Sequence, residues 1–231
     1  MLDMLYPRNC TACGQPPTPP LDYLCWDCLS GTLKVEPPFC AVCGDPVAGD
    51  VQHSYVCFSC SREMPAFDRA RSAVRYDGAV AGALRNLKYN SALWMVNDLS
   101  FLLYKCVQAE FHDVEFDAVT AVPLHPSRYR ARGFNQSAVL AEKLARRMSV
   151  PFRAGLVRRI RPTDTQTGLT APQRTDNVCG AFKTGLFFRP RGRKVLLVDD
   201  VMTTGATVNA CAKALKQGGA AAVYVVTVAR G

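Results

Sequence analysis

Val195-Leu-Leu-Val-Asp199-Asp200-Val-Met-Thr203-Thr204-Gly205-Ala206-Thr207 runs from an apolar stretch through an acidic pair into a polar turn. Its apolar start predicts a buried strand. The residues from Thr207 to Gln217 predict a helix, stopped by Gly218-Gly219. The turn between them lies at a helix N-terminus. There, unpaired N–H groups and the positive end of the helix dipole attract a phosphate. Gly205 permits close backbone approach, and Thr203, Thr204 and Thr207 add hydroxyl donors. Asp199 and Asp200 stand at the carboxyl end of the strand, where open α/β sheets bind ligands. A carboxylate repels a phosphate, so the pair needs a separate task. Hydrogen bonding to sugar hydroxyls fits, with Mg2+ nearby if a pyrophosphate is present.

The rest of the domain follows the same alternation. Ala70 to Tyr76 reads as a strand, and Ala79 to Lys88 and Leu93 to Glu110 have the apolar spacing of helices. Asp117 to Pro123 is an apolar run closed by proline, hence a buried strand. Gln136 to Met148 is an amphipathic helix with Val139, Leu140, Leu144 and Met148 on one side. Phe152 to Val157 and Ala222 to Ala229 read as further strands. Apolar strands separated by helices predict an α/β fold with a parallel sheet covered on both faces. The polar span Arg158 to Asn177 reads as a loop that closes over substrate, or equally as a plain surface loop. Gly180 to Phe188 reads as a small flanking hairpin.

The first third of the chain carries a repeat. Cys10-Thr-Ala-Cys13-Gly14 matches Cys40-Ala-Val-Cys43-Gly44, and Tyr23-Leu-Cys25-Trp-Asp-Cys28 matches Tyr55-Val-Cys57-Phe-Ser-Cys60. Four thiolates at such spacing suit one tetrahedral Zn2+ per unit. Gly14 and Gly44 fit tight turns of positive φ that aim amides at the sulfurs. Their place after the first pair of each unit favours sequential sets, 10/13/25/28 and 40/43/57/60. Interleaved sets stay open. All-sulfur ligation leaves no open coordination position, so the two zinc ions are structural on this reading. Redox-active pairs or buried free thiols are the competing reading, weakened by the tandem arrangement. His53 is surplus to eight cysteines and reads as surface. The zinc module is assigned residues 1–64 and the α/β domain residues 65–231.

Charge is divided unevenly between the two parts. Residues 1–64 carry three Lys/Arg against seven Asp/Glu, while residues 65–231 carry twenty-five against twelve. A basic domain suggests an anionic partner, whether phosphates, a nucleotide or nucleic acid; a merely solvated basic surface is the plainer reading. Arg128 to Arg161 holds ten Lys/Arg and one acid, Glu142. Within it Arg146, Arg147, Arg158, Arg159 and Arg161 exceed what a pyrophosphate needs and suit a nucleic-acid backbone or, equally, an ordinary solvated helix face. No transmembrane segment and no secretory signal is expected, since no apolar run is long enough. Clustered cysteines then point to a reducing, cytoplasmic setting and to metal ligation.

The segment from Val195 to Thr207 resembles the 5-phosphoribosyl-1-pyrophosphate (PRPP) motif of type I phosphoribosyltransferases. Further landmarks are Leu87-Lys88-Tyr89, Val122-Pro-Leu124-His125-Pro-Ser-Arg128, Arg132-Gly-Phe-Asn135-Gln136 and Gly180-Ala-Phe182. Following the tandem cysteine pairs, they make nearly the whole chain similar to the ComF family of late-competence, amidophosphoribosyltransferase-like proteins. Met202 departs modestly from that pattern, where an aromatic residue is common. The resemblance implies a Rossmann-like phosphoribosyltransferase domain preceded by a double zinc ribbon. It implies that Asp199 and Asp200 hold ribose hydroxyls and that Thr203, Thr204, Gly205, Ala206 and Thr207 cradle the 5′-phosphate. Leu124, His125 and Arg128, with Arg132, Asn135 and Gln136, become pyrophosphate candidates. The implied ligand is PRPP or a related phosphoribosyl compound with Mg2+, and the implied partners are single-stranded DNA and the competence machinery. An active phosphoribosyltransferase of nucleotide metabolism with an unnamed acceptor is the alternative. No cysteine directly follows Met1, so the amide-hydrolysing nucleophile of a glutamine-dependent amidotransferase is not expected.

Overall fold

A computed structural model describes residues 8–32, 34–47, 49, 51, 53–161, 180–185 and 189–231. In chain order its elements are α1 (Trp26–Ser30), α2 (Phe58–Arg62), β1 (Arg69–Arg75), α3 (Gly78–Tyr89), a 3-10 turn (Leu93–Met95), α4 (Val96–Glu110), β2 (Ala118–Ala121), α5 (Pro126–Arg132), α6 (Gln136–Met148), β3 (Val157–Arg159), β4 (Phe182–Thr184), β5 (Lys194–Met202), α7 (Ala206–Gln217) and β6 (Ala222–Arg230). Four strands form one parallel sheet in the order β1-β6-β5-β2. Parallel pairing requires crossover connections, and the helices supply them on both faces.

Alternation along the central strands builds two cores. Leu196, Val198, Val226 and Val228 face one side, where α3, α4 and α6 pack with Leu21, Leu24 and Leu29 of the first ribbon. Val195, Leu197, Val223 and Val225 face the other, against α7 and the second ribbon. Each ribbon therefore completes a core of the α/β domain. The edge strand β1 is also covered, since Ala70 N–H donates to Val42 O (2.8 Å) and Lys34 bridges Val74. A bare edge would offer its unpaired amides to other chains.

One buried carboxylate anchors the first ribbon. Asp98, on α4 and wholly buried, accepts from the backbone N–H groups of Asp22 (2.9 Å), Tyr23 (2.7 Å) and Leu24 (2.8 Å). Burial pushes its pKa up, against the three amides that favour the charge.

Several segments differ from the sequence-based expectation. β5 continues through the acidic pair to Met202, because β6 keeps pairing alongside it (Asp199 with Thr227, Met202 with Arg230) after β2 has ended. Phe152 to Val157 is not one strand: Phe152 makes a single bridge to Val119, and the chain turns before β3 begins. β4 pairs antiparallel with β3, and of the hairpin expected over Gly180 to Phe188, residues 186–188 lie outside the described residues. The expected loop from Arg158 to Asn177 lies outside the described residues from position 162 onward.

Candidate functional site

Three chain reversals meet above the carboxyl ends of β2 and β5. The segment after β2 passes Val122, Pro123 and Leu124 into α5, whose first turn is capped by His125 through its acceptance from Ser127 N–H (3.3 Å). Asn135 caps α6, accepting from Ser137 N–H (3.1 Å), and its amide donates to Val122 O (3.0 Å). That bond ties the β2 loop to the start of α6. After β5, Gly205 takes φ +78° as the N-cap of α7 and has no side chain to cap it. Thr204 Oγ1 accepts from Ala206 N–H (3.4 Å). Met202 is buried, with its methyl group against Gly205.

Between these reversals lies a cleft of about 740 Å³. Its walls include Lys88, Leu124, Arg128, Arg132, Gln136, Ser137, Arg159, Asp199, Asp200, Thr203 and Thr207. Of the pyrophosphate candidates, Leu124, Arg128, Arg132 and Gln136 line the cleft. His125 and Asn135 serve as helix caps outside its lining. Thr203 and Thr207 reach the lining; Thr204, Gly205 and Ala206 form the turn behind them.

The acidic pair is buried and already engaged. Asp199 Oδ1 accepts from Ser137 Oγ (2.7 Å) and from Asp200 N–H (3.0 Å). Burial first, and the neighbouring Asp200 charge second, push the Asp199 carboxyl up to about 7; the Ser137 hydroxyl and the Lys88 charge act the other way. Asp200 forms an ion pair with Lys88. Burial opposes the Lys88 ammonium, but the two carboxylates outweigh it and hold its pKa above the ordinary value. Arg159 is held below the usual guanidinium range, by burial and then by the positive charge of Arg128. An anion shared by these two arginines would relieve that repulsion.

The sequence pattern did not single out Ser137, Tyr76 or Tyr89 as lining residues, and it placed Arg159 among arginines surplus to the cleft. A buried serine two residues past an Asn cap was the available signal for Ser137. Two of the other surplus arginines also have internal tasks: Arg147 donates to Asn97 Oδ1 (2.7 Å) and Arg146 pairs with Glu142.

The cysteines gather in sequential sets. The Sγ atoms of Cys10, Cys13, Cys25 and Cys28 all lie within 4.8 Å of one another, as do those of Cys40, Cys43, Cys57 and Cys60. Tetrahedral ligation with Zn–S near 2.3 Å requires S···S separations of about 3.8 Å. Cys13 to Cys25 is 3.6 Å and Cys43 to Cys57 is 3.7 Å, so both sets fit zinc. Gly14 (φ +78°) and Gly44 (φ +68°) make the expected turns. Burial opposes the Cys40 thiolate, yet the amides of Cys43 and Cys57 help hold its pKa near about 7. All eight ligands are sulfur, and each set is closed, as structural sites are.

Comparison with known proteins agrees with this anatomy. Residues 1–61 match the double zinc ribbon domain, and residues 135–231 match the phosphoribosyl transferase domain. Competence protein F of Haemophilus influenzae is 32% identical over 197 residues, covering 84% of this chain and 85% of that protein. DNA utilization protein YhgH of Escherichia coli K12 is 32% identical over 220 residues, covering 87% and 94%. Among solved structures, adenine phosphoribosyltransferase from Thermoanaerobacter pseudethanolicus matches with a TM-score of 0.40 and 16% identity, over 73% of this chain and 94% of that one. No helix among the described residues is long and apolar enough to cross a membrane. With a phosphoribosyltransferase domain, a double zinc ribbon and relatives aligned over most of their length, the chain belongs to the ComF family of competence and DNA-utilization proteins.

Proposed function

We propose that this chain binds PRPP or a related phosphoribosyl ligand and serves DNA uptake by handling single-stranded DNA at the cytoplasmic side. The supporting observation is one cleft that joins a buried acidic pair to a helix N-terminus and to four cations, Lys88, Arg128, Arg132 and Arg159. Asp199 and Asp200 take the ribose hydroxyls. Thr203 to Thr207 take the 5′-phosphate, with hydroxyls and amides at the start of α7. Arg128 and Arg159 take the pyrophosphate, with Leu124, Arg132 and Gln136 beside them. His125 and Asn135 contribute by fixing the loop. Lys88 holds Asp200 in an ion pair, and Mg2+, where bound with the ligand, would supply neutralising charge to the pyrophosphate. In this reading residues 1–64 form the zinc module and residues 65–231 the ligand-binding domain. The names of the relatives support the DNA half, and the competence machinery is the expected protein partner.

A second reading is an active phosphoribosyltransferase of nucleotide metabolism. The favouring observation is that Arg128 and Arg159 line the same cleft as the acidic pair, where they would stabilise the charge on a departing pyrophosphate. Calorimetric titration of the zinc-loaded protein with PRPP and Mg2+, beside the Asp199→Ala/Asp200→Ala double variant, tests the ligand. Binding lost in the variant supports the site; no binding by folded wild-type protein overturns it. Failure to retain single-stranded DNA at low salt overturns the DNA assignment. Pyrophosphate release in an acceptor screen separates the second reading from the first.

A further inference from the structure

We infer that Arg230 couples the second cysteine set to the Thr203–Thr207 turn, so that zinc held by Cys40, Cys43, Cys57 and Cys60 tightens the cleft on a sugar phosphate. The inference rests on the phosphoribosyl reading above and adds control of that site by the ribbon. Arg230 is the last residue of β6, and its side chain is only 10% exposed. Its guanidinium grips one metal-binding turn at two residues. Nη1 donates to Cys43 O (3.2 Å), and Nε donates to Asp45 Oδ1 (3.1 Å), with Nη2 at 2.9 Å from the same oxygen. That turn is closed on itself: Gly44 N–H donates to Cys40 O (2.9 Å), and Cys40 N–H donates to Asp45 O (2.8 Å). A metal on the four sulfurs holds the turn in place, because metal-binding free energy becomes folding free energy in so small a module.

The backbone of Arg230 forms the last sheet rung before the cleft. It stands in register with Arg75 of β1 on one side and with Met202 of β5 on the other. The residues that follow those two, Tyr76 and Thr203, both line the cleft. Tyr76 N–H donates to Arg230 O (2.6 Å), and Gly231 N–H donates to Met202 O (3.0 Å). A Cβ on Gly231 would lie 3.4 Å from Thr203 Cγ2 and 3.7 Å from Tyr76 Cβ, so the chain beyond Arg230 sits between the two walls. Strand ends open more readily than strand centres, so this rung keeps its geometry only as firmly as Arg230 is held. The first ribbon is anchored elsewhere, through the three amides that Asp98 of α4 accepts. Only one of the two metal sites therefore reports on the cleft.

Chelator competition on the zinc-loaded chain, with and without ribose 5-phosphate, tests this. Coupling is reciprocal, so a metal that raises ligand affinity has its own affinity raised by the same factor. The expected result is that saturating ribose 5-phosphate tightens one zinc ion at least about fivefold and leaves the other unchanged. Arg230→Met removes the hydrogen bonds, keeps an apolar stem and brings that ratio to about one. A merely structural role for Arg230 would lower zinc affinity equally with and without ligand; an intact ratio in the variant therefore overturns the assignment to Arg230. An equal response of both ions marks general stabilisation of the fold and overturns the route. Ribose 5-phosphate that binds by calorimetry yet tightens neither ion overturns the coupling alone. A wild-type chain that holds both zinc ions and binds neither ribose 5-phosphate nor PRPP overturns the phosphoribosyl reading, and the coupling with it.

Discussion

Asp98→Ala removes the acceptor to which the first zinc ribbon is tied. The Leu24 N–H is buried, whereas those of Asp22 and Tyr23 are partly so. A buried donor left without a partner costs about 1–3 kcal/mol, and water recovers part of the loss at the other two. Removing the carboxylate also relieves the burial that raises the Asp98 pKa, which offsets a fraction. The net loss is about 3 kcal/mol, or about 6–12 °C in melting temperature for a chain of this size. Asp98→Asn keeps one carbonyl acceptor and loses about half as much. Two assays read the effect: a thermal melt of the zinc-loaded protein, and the rate at which a chelator withdraws zinc. Asp98→Ala accelerates zinc release from the Cys10 set and leaves the Cys40 set unchanged, because the three amides belong only to the first ribbon. A melting temperature within about 2 °C of wild type, with both zinc ions leaving at the wild-type rate, would refute the anchoring role.

Gly44→Ala destabilises more than Gly14→Ala, although both residues have positive φ. A Cβ at Gly14 meets nothing within 4 Å, whereas one at Gly44 falls 2.7 Å from Ala70 O on the covered edge of β1. The backbone penalty alone is about 1–2 kcal/mol, and the clash adds at least about 1 more, so equal melting shifts would contradict the packing. Lys88→Met leaves Asp200 buried without its cation. It costs about 2 kcal/mol near neutral pH, discounted because the lysine side chain keeps 21% exposure; a denaturant midpoint unchanged from wild type would rule this out. Asp199 has a folded pKa near about 7, above its unfolded value, so stability is lost as pH rises from the ordinary carboxylate range through 7. Sugar hydroxyls donating to this carboxylate favour its ionised form. Ligand binding therefore releases a proton at about pH 6 and none at about pH 8.5. Calorimetry in buffers of different ionisation enthalpy reads this, and heats independent of buffer at the lower pH would count against it. Ser137→Ala removes a donor to the charged form, so it moves the proton-release midpoint upward; a downward move would show that Ser137 has another task.

The parts of the molecule governed by local pattern were legible in the sequence. The helix from Gln136 to Met148 has the predicted bounds, because its apolar period, its Asn135 cap and Ser149 at its end agree. Both cysteine sets were legible because metal spacing is short-range and duplicated. Strands of three residues are different. Val157–Arg159 finds Phe182–Thr184 across more than twenty intervening positions, with too few residues to show a period. The Lys88–Asp200 pair and the three amides on Asp98 likewise join residues more than seventy positions apart. Nothing in the local composition around Asp98 marks it as buried, since its partners are backbone groups whose identity the sequence does not encode.

The strand order has a consequence for the time course of synthesis. Arg69 of β1 pairs in register with Tyr224 of β6, so β1 waits for about 150 further residues before its sheet partner exists. At about 5–20 residues per second that interval is roughly 8–30 s. Both cysteine sets are complete by Cys60, and the bond from Ala70 N–H to Val42 O is available as soon as β1 emerges. The zinc ribbons are thus the first part of the chain that can cover an edge of β1. The edge of β1 that they cover is the one opposite β6, so the two partners of this strand come from opposite ends of the sequence.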